Sequence, residues 1–186
     1  MSKKKIRKKI LNLRRLKFKK NITIRTSSLI NILKQKNIYK KSIGGYFPVN
    51  FEIDDLNLLR ELRKRKFKIS LPVIKKNNQM DFFDWSFKDP LKVNKFGIPE
   101  PEQKKLVYPD IILVPIVAFD SLLYRLGYGG GYYDRYIKKL SSKKSFLTIG
   151  LAFSFQKIIK VPTNKYDKKL NIILTEKFIL KWEFYF

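Results

Sequence analysis

The chain has 186 residues, 44% of them hydrophobic, which suits one domain burying roughly 70% of the surface its unfolded form exposes. It contains neither cysteine nor histidine, which excludes disulfides, thiolate nucleophiles, cysteine-based zinc sites, Ser-His-Asp triads and HExxH metal sites. The formal net charge of +27 points first to nucleic acid or an anionic membrane, but a Lys excess of 33 over 9 Arg, beside abundant Ile, Asn, Phe and Tyr, is also what A/T-rich codons produce.

No acidic residue precedes Glu52, whereas sixteen Lys and Arg do. Ile6, Ile10, Leu13 and Leu16 recur at helical spacing, which predicts an amphipathic helix over 3–20 with its cations on a solvated face. This start lacks the apolar region of a secretory signal and the arginine richness of a transit peptide, so the cytoplasm is the expected compartment. Thr26, Ser27 and Ser28 can cap a short helix carrying Leu29, Ile30, Ile32 and Leu33. Ser42–Val49 reads as a strand, and Gly44 and Gly45 in it suggest close approach of another backbone or a ligand. Asp54 or Asp55 then caps a helix through Leu56, Leu59 and Leu62.

Phe67–Ile74 and Met80–Phe87 read as further strands, and residues 88–109, with four prolines, as a long ordered loop. Ile111–Val117 is a continuous β-branched run suited to a buried parallel strand. The apolar stretch Ile111–Phe119, nine residues interrupted by Pro115, is about half the length of a membrane span. A glycine cluster follows, then a helix over Tyr132–Leu140, a buried strand over Phe146–Phe153 and a last strand over Asn171–Thr175. Helices alternating with buried strands predict a single α/β domain over 1–186, with a mostly parallel sheet covered by helices on both faces.

Gly127, Gly129, Gly130 and Gly131 fall between a buried strand and a helix. Glycine lets backbone amides approach phosphate oxygens, and the following helix turns its positive end toward them. Arg125 supplies a forked cation suited to phosphate, and Asp134 a hard oxygen ligand suited to magnesium. The loop matches neither GxGxxG nor GxxxxGK[ST]. On its own it is equally a tight turn in which Asp134 pairs with a neighbour.

The longer string PDIILVPIVAFDSLLYRLGYGGGYYDRYI, residues 109–137, resembles the signature of the 5-formyltetrahydrofolate cyclo-ligase family. In that family a strand ending in proline is followed by an aromatic-Asp pair and RLGxGxGYYD. Pro115, Phe119, Asp120 and all of Arg125–Asp134 fit. The resemblance runs over nearly the whole chain. It takes in Lys3 and Arg7 on the first helix, the stretch Tyr46–Glu52, FGIPEP at 96–101, and Val161, Pro162 and Asp167 before IILTE at 172–176. Asn171 departs from it, standing where many members carry a second acid.

The resemblance implies an ATP- and magnesium-dependent cyclisation of 5-formyltetrahydrofolate to 5,10-methenyltetrahydrofolate, with release of ADP and phosphate. It implies a nucleotide site formed by Lys3, Arg7, Arg125, Leu126, Gly127, Tyr128, Gly129, Gly130, Gly131, Tyr132 and Tyr133. Lys3 and Arg125 act there in catalysis, and Asp134 and Asp167 hold the metal. The folate, with or without added glutamates, is expected at Phe47, Glu52, Tyr128 and Tyr132. A monomer or small homo-oligomer with no specific nucleic acid and no membrane partner is expected. Two other readings stand beside it: a basic RNA- or ribosome-associated module, and a paralogue using the same ATP loop on another substrate.

Overall fold

In the computed structural model, residues 1–19, 21–38 and 41–181 are described. Eight strands form one sheet in the order β12-β11-β10-β7-β1-β2-β3-β6. Its centre is five parallel strands: β1 (Ser42–Gly44), β2 (Lys68–Ile74), β7 (Ile111–Pro115), β10 (Leu147–Leu151) and β11 (Ile172–Leu174). β3 (Met80–Asp84) and β6 (Leu106–Val107) extend one edge antiparallel, and β12 (Ile179–Lys181) closes the other in the same sense.

Strand alternation explains the two-sided core. In β7, Ile111 and Leu113 face one layer, where α2 (Thr26–Gln35) packs Leu29, Ile32 and Leu33, and α3 (Leu56–Lys64) packs Leu58, Leu59 and Leu62. Ile112 and Val114 face the other, against Tyr136, Ile137 and Leu140 of α4 (Tyr132–Ser141). The expected α/β sheet with helices on both faces is therefore what forms. A third cluster decides where the first helix goes. Ile6 and Ile10 of α1 (Lys3–Lys17) pack on Val117, Ala118, Leu126 and Val161, just past the carboxyl end of β7. Burying those two isoleucines contributes about 1.5–3 kcal/mol each.

Several local expectations are corrected. α1 ends at Lys17, and Lys20 lies outside the described residues. Its buried face is Ile6, Ile10 and Arg14, spaced every fourth residue, whereas Leu13 is half-buried and Leu16 is exposed. Thr26, Ser27 and Ser28 lie inside α2, whose N-cap is Arg25 without a side-chain bond. Strand β1 stops at Gly44 instead of reaching Val49. Within the chain, what crowds the two glycines is side chains and not backbone. A Cβ on Gly44 would lie 2.5 Å from the Phe82 ring, and one on Gly45 would lie 2.4 Å from Leu59.

At α3, Asp54 accepts from the Leu56 amide at 2.8 Å, while the Asp55 carboxylate turns inward to the Tyr46 amide at 2.9 Å. The stretch 88–109 holds a small hairpin of β4 (Leu91–Val93) and β5 (Pro99–Pro101) as well as β6. Among the described residues, no helix is long and apolar enough to cross a membrane.

Candidate active site

The chain runs from β1 through α3 to β2 on one side, and from β7 through α4 to β10 and β11 on the other. The switch point thus lies between β1 and β7, where the carboxyl ends of adjacent strands diverge and open α/β sheets leave a crevice for ligands. The segment after β1 carries Tyr46, Phe47 and Glu52. The segment after β7 forms a hairpin of β8 (Ala118–Phe119) and β9 (Arg125–Leu126), leading into the glycine loop and α4. Both segments thus leave the carboxyl ends of two adjacent strands.

Asp120 holds the hairpin in place. Its carboxylate, 1% exposed, accepts from the amides of Leu122 and Tyr124 at its own turn and from Val161 across the chain, at 2.9–3.1 Å. That accounts structurally for an aspartate and a Val-Pro pair far apart in sequence.

The loop is clamped from several directions. Arg7 Nε donates to the Gly127 carbonyl at 2.7 Å, and its guanidinium lies 3.3 Å from where a Cβ on Gly129 would sit. Gly129 also has φ +114°, a conformation only glycine takes without strain. Arg125, 7% exposed, donates to Asp134 Oδ1 at 3.0 Å and to the Lys168 carbonyl at 2.9 Å. Arg135 donates to the Gly130 carbonyl and to the Asn78 carbonyl.

The loop amides are left free. Among the described residues, those of Tyr128, Gly129, Gly130 and Gly131 donate to nothing in the chain, and no side chain caps α4 at Gly131. Free amides beside the positive end of a helix, with Arg7 bonded to the loop, are groups of the kind that phosphate oxygens bind.

The carboxylates have definite partners. Asp134 Oδ1 also accepts from the Lys168 amide at 3.0 Å. Asp167 Oδ2 accepts from Lys3 Nζ at 2.6 Å and from the Asn164 amide at 2.7 Å. Each aspartate has its other oxygen unengaged. Among the described residues, no three acidic side chains converge on one point. Two carboxylate oxygens are the kind of donor that magnesium takes one or two of, completing its shell with phosphate oxygens and water.

The β1 side is more buried. Glu52, 6% exposed, closes its own turn: its Oε2 accepts from the Val49 amide at 2.9 Å, and its amide donates to the Val49 carbonyl at 3.0 Å. Oε1 makes no well-formed hydrogen bond, and burial pushes the carboxyl pKa up against the opposing pull of the Val49 amide, Arg14 and the nearby Tyr128 hydroxyl. Asp55, fully buried, is pushed up more strongly for the same reason. Tyr128 also titrates high, through burial and the nearby Glu52 charge. Phe47 is half-buried on the same segment. Tyr132, expected beside the folate, donates its hydroxyl to Asn78 Oδ1 at 3.2 Å on the β2–β3 turn.

Two features escaped the sequence reading. Arg14 is 1% exposed and donates to the Ile116 carbonyl at 3.2 Å and to the Tyr128 hydroxyl. Its signal was its place four residues after Ile10, which puts a cation on the apolar face. For Asp55 the sequence offers only a capping position, because nothing local shows that its side chain turns inward. Asn171 lies at the amino end of β11, where its Oδ1 accepts from the Thr148 amide and hydroxyl at 2.8 Å. Its departure from the family pattern therefore falls at the end of the sheet opposite the glycine loop.

A model described as the 5-formyltetrahydrofolate cyclo-ligase family matches residues 1–176. The 5-formyltetrahydrofolate cyclo-ligase of Haemophilus influenzae is 35% identical over 156 residues, which is 80% of this chain and 82% of that protein. The one from Mycoplasma pneumoniae is 30% identical over 138 residues, 74% of each chain. Among solved structures, the NMR structure of Aquifex aeolicus 5,10-methenyltetrahydrofolate synthetase matches with a TM-score of 0.78 at 32% identity, covering 97% of this chain and 93% of that one. The 5,10-methenyltetrahydrofolate synthetase of Mycoplasma pneumoniae matches with a TM-score of 0.74 at 26% identity, covering 95% and 99%.

Proposed function

The chain belongs to the 5-formyltetrahydrofolate cyclo-ligase family of carbon–nitrogen ligases, and from that premise we propose that it uses ATP and magnesium to convert 5-formyltetrahydrofolate to 5,10-methenyltetrahydrofolate. The formyl oxygen attacks the γ-phosphorus and ADP leaves. Nitrogen 10 then adds to the formyl carbon and loses its proton, and phosphate departs with the former formyl oxygen. Phosphorylation makes a poor leaving oxygen a good one. The protein's task is alignment and charge stabilisation, which needs no histidine or cysteine nucleophile.

The observation that carries this reading is the glycine loop, with its free amides and flanking arginines, set across the switch point from a buried carboxylate with an unpartnered oxygen. The loop amides, Arg7 and Arg125 hold the phosphates, and Lys3 stabilises charge as it moves onto the leaving group. The unengaged oxygens of Asp134 and Asp167 would hold magnesium, which would supply charge neutralisation on the phosphates. Glu52 Oε1 accepts from the N–H groups of the pterin, with Phe47 and Tyr128 against its ring. The basic surface draws in the anionic glutamate tail.

Incubation of the purified protein with 5-formyltetrahydrofolate, ATP and magnesium tests this directly, by following the methenyl chromophore. An ATP-dependent absorbance rise is expected. A folded protein that binds ATP but gives no such rise would instead be a paralogue acting on another substrate.

A further inference from the structure

Arg14 is a buried cation with no direct ion pair. It lies 1% exposed, forms no ion pair with any described carboxylate, and leaves its Nε without a hydrogen-bond partner. Such a group is costly to bury, and a helix surface offers many cheaper residues for bolting α1 to the sheet. Ile6 and Ile10 already do that on the same face. What Arg14 reaches is specific. Nη1 donates to the Ile116 carbonyl, immediately past the end of β7, and Nη2 donates to the hydroxyl of Tyr128 in the glycine loop. The same guanidinium lies 5.7 Å from the centre of the Tyr128 ring.

We infer that Arg14 is a positioning residue that ties the glycine loop to the Glu52 carboxylate through the hydroxyl of Tyr128. With Arg14 donating to the phenolic oxygen, the Tyr128 proton is left to point elsewhere. The nearby acceptor is Glu52, whose Oε1 makes no well-formed bond of its own and whose carboxyl lies close enough to the Tyr128 hydroxyl for each to shift the other's ionisation. The arrangement Arg14⁺, Tyr128, Glu52⁻ spans the switch point. It fixes the loop that holds phosphate in register with the group that holds the pterin, which is the alignment a transfer from γ-phosphate to formyl oxygen requires. The guanidinium matters for its shape, because a single ammonium cannot reach the carbonyl and the hydroxyl in fixed geometry.

This rests on the proposed reaction, and the test separates the two. The variants are Arg14→Met, Arg14→Lys, Tyr128→Phe and the Arg14→Met/Tyr128→Phe pair, assayed with each substrate varied in turn. Arg14→Met is expected to raise the folate KM and lower kcat, together about 10-fold or more in kcat/KM, as losing one charged hydrogen bond does. The ATP KM is expected to stay within about 3-fold. Tyr128→Phe is expected to act in the same direction, and the pair to be no worse than the more damaging single change. Arg14→Lys is expected to fold and still show the folate defect, so the question is decided even where Arg14→Met does not fold.

Wild-type folate kinetics in Arg14→Lys, or multiplicative losses in the pair, would overturn the inference. So would an Arg14→Met enzyme that loses only thermal stability. If the wild-type protein does not turn over 5-formyltetrahydrofolate, the proposed reaction fails. The Arg14–Tyr128 link is then read from thermal unfolding of the same four proteins. Non-additive Tm losses support it, and additive ones overturn it.

Discussion

Glu52→Gln is expected to make the folded protein more stable at neutral pH while impairing its use of folate. Burial holds the folded-state pKa of Glu52 above the ordinary value of 4.5, so folding costs more for the ionised carboxyl than for the protonated one. The contribution of this group to stability is complete below the unfolded pKa and is lost as pH rises through the folded one. Glutamine has no such loss. A buried charged oxygen with only the Tyr128 hydroxyl beside it costs about 1–3 kcal/mol, and an amide in its place retains part of that cost as an unmet donor. The net gain at pH 8 is therefore about 1 kcal/mol, or about 2–4 °C in Tm for a chain of this size. At pH 4 the two proteins should melt together.

The gain stays small because Glu52 also offsets the charge of Arg14, which lies close enough to lower its pKa. In kinetics, losing a charged acceptor for the pterin corresponds to about a 10- to 100-fold rise in folate KM. Thermal unfolding across pH, together with steady-state kinetics, checks both halves. A variant less stable than wild type at pH 8 would show that Arg14 outweighs desolvation and that the physical reading of Glu52 is wrong. Unchanged folate kinetics would remove it from the substrate site.

Asp134→Asn should slow turnover roughly 100-fold and blunt the magnesium response. It should also lower stability by about 1–2 kcal/mol, because the buried Arg125 then faces a neutral acceptor. Normal turnover with normal magnesium dependence would refute the metal assignment. Gly129→Ala, which forces a side chain into φ +114° against Arg7, should cost about 1–3 kcal/mol and raise the ATP KM, with unfolding and kinetics as the readouts. Asn171→Asp keeps the acceptor for Thr148 at the far end of the sheet, so both KM values should be unchanged. Binding to RNA or DNA should be insensitive to sequence and fall steeply with salt; a sub-micromolar, sequence-selective complex at physiological salt would make the +27 charge a specific site.

The sequence by itself determined the layer architecture, because that is written in local periodicity. The β-branched run at Ile111–Pro115 and the apolar faces of α2, α3 and α4 each bury in the only way their spacing permits. It also located the glycine loop, since a strand, a glycine cluster and a helix are contiguous. What only the tertiary structure decided is where polar side chains point once the chain is packed. Asp120 reaches Val161 over 41 positions, Arg14 reaches Ile116 over 102, and Lys3 reaches Asp167 over 164. Hydrophobic burial is set by area and repeats with the helix or strand, so it can be read from a window of sequence. A hydrogen bond is directional and within a few tenths of an ångström of one length, so its partner emerges only when distant segments share a crevice. For that reason α1 was legible as an amphipathic helix, while its buried arginine was not.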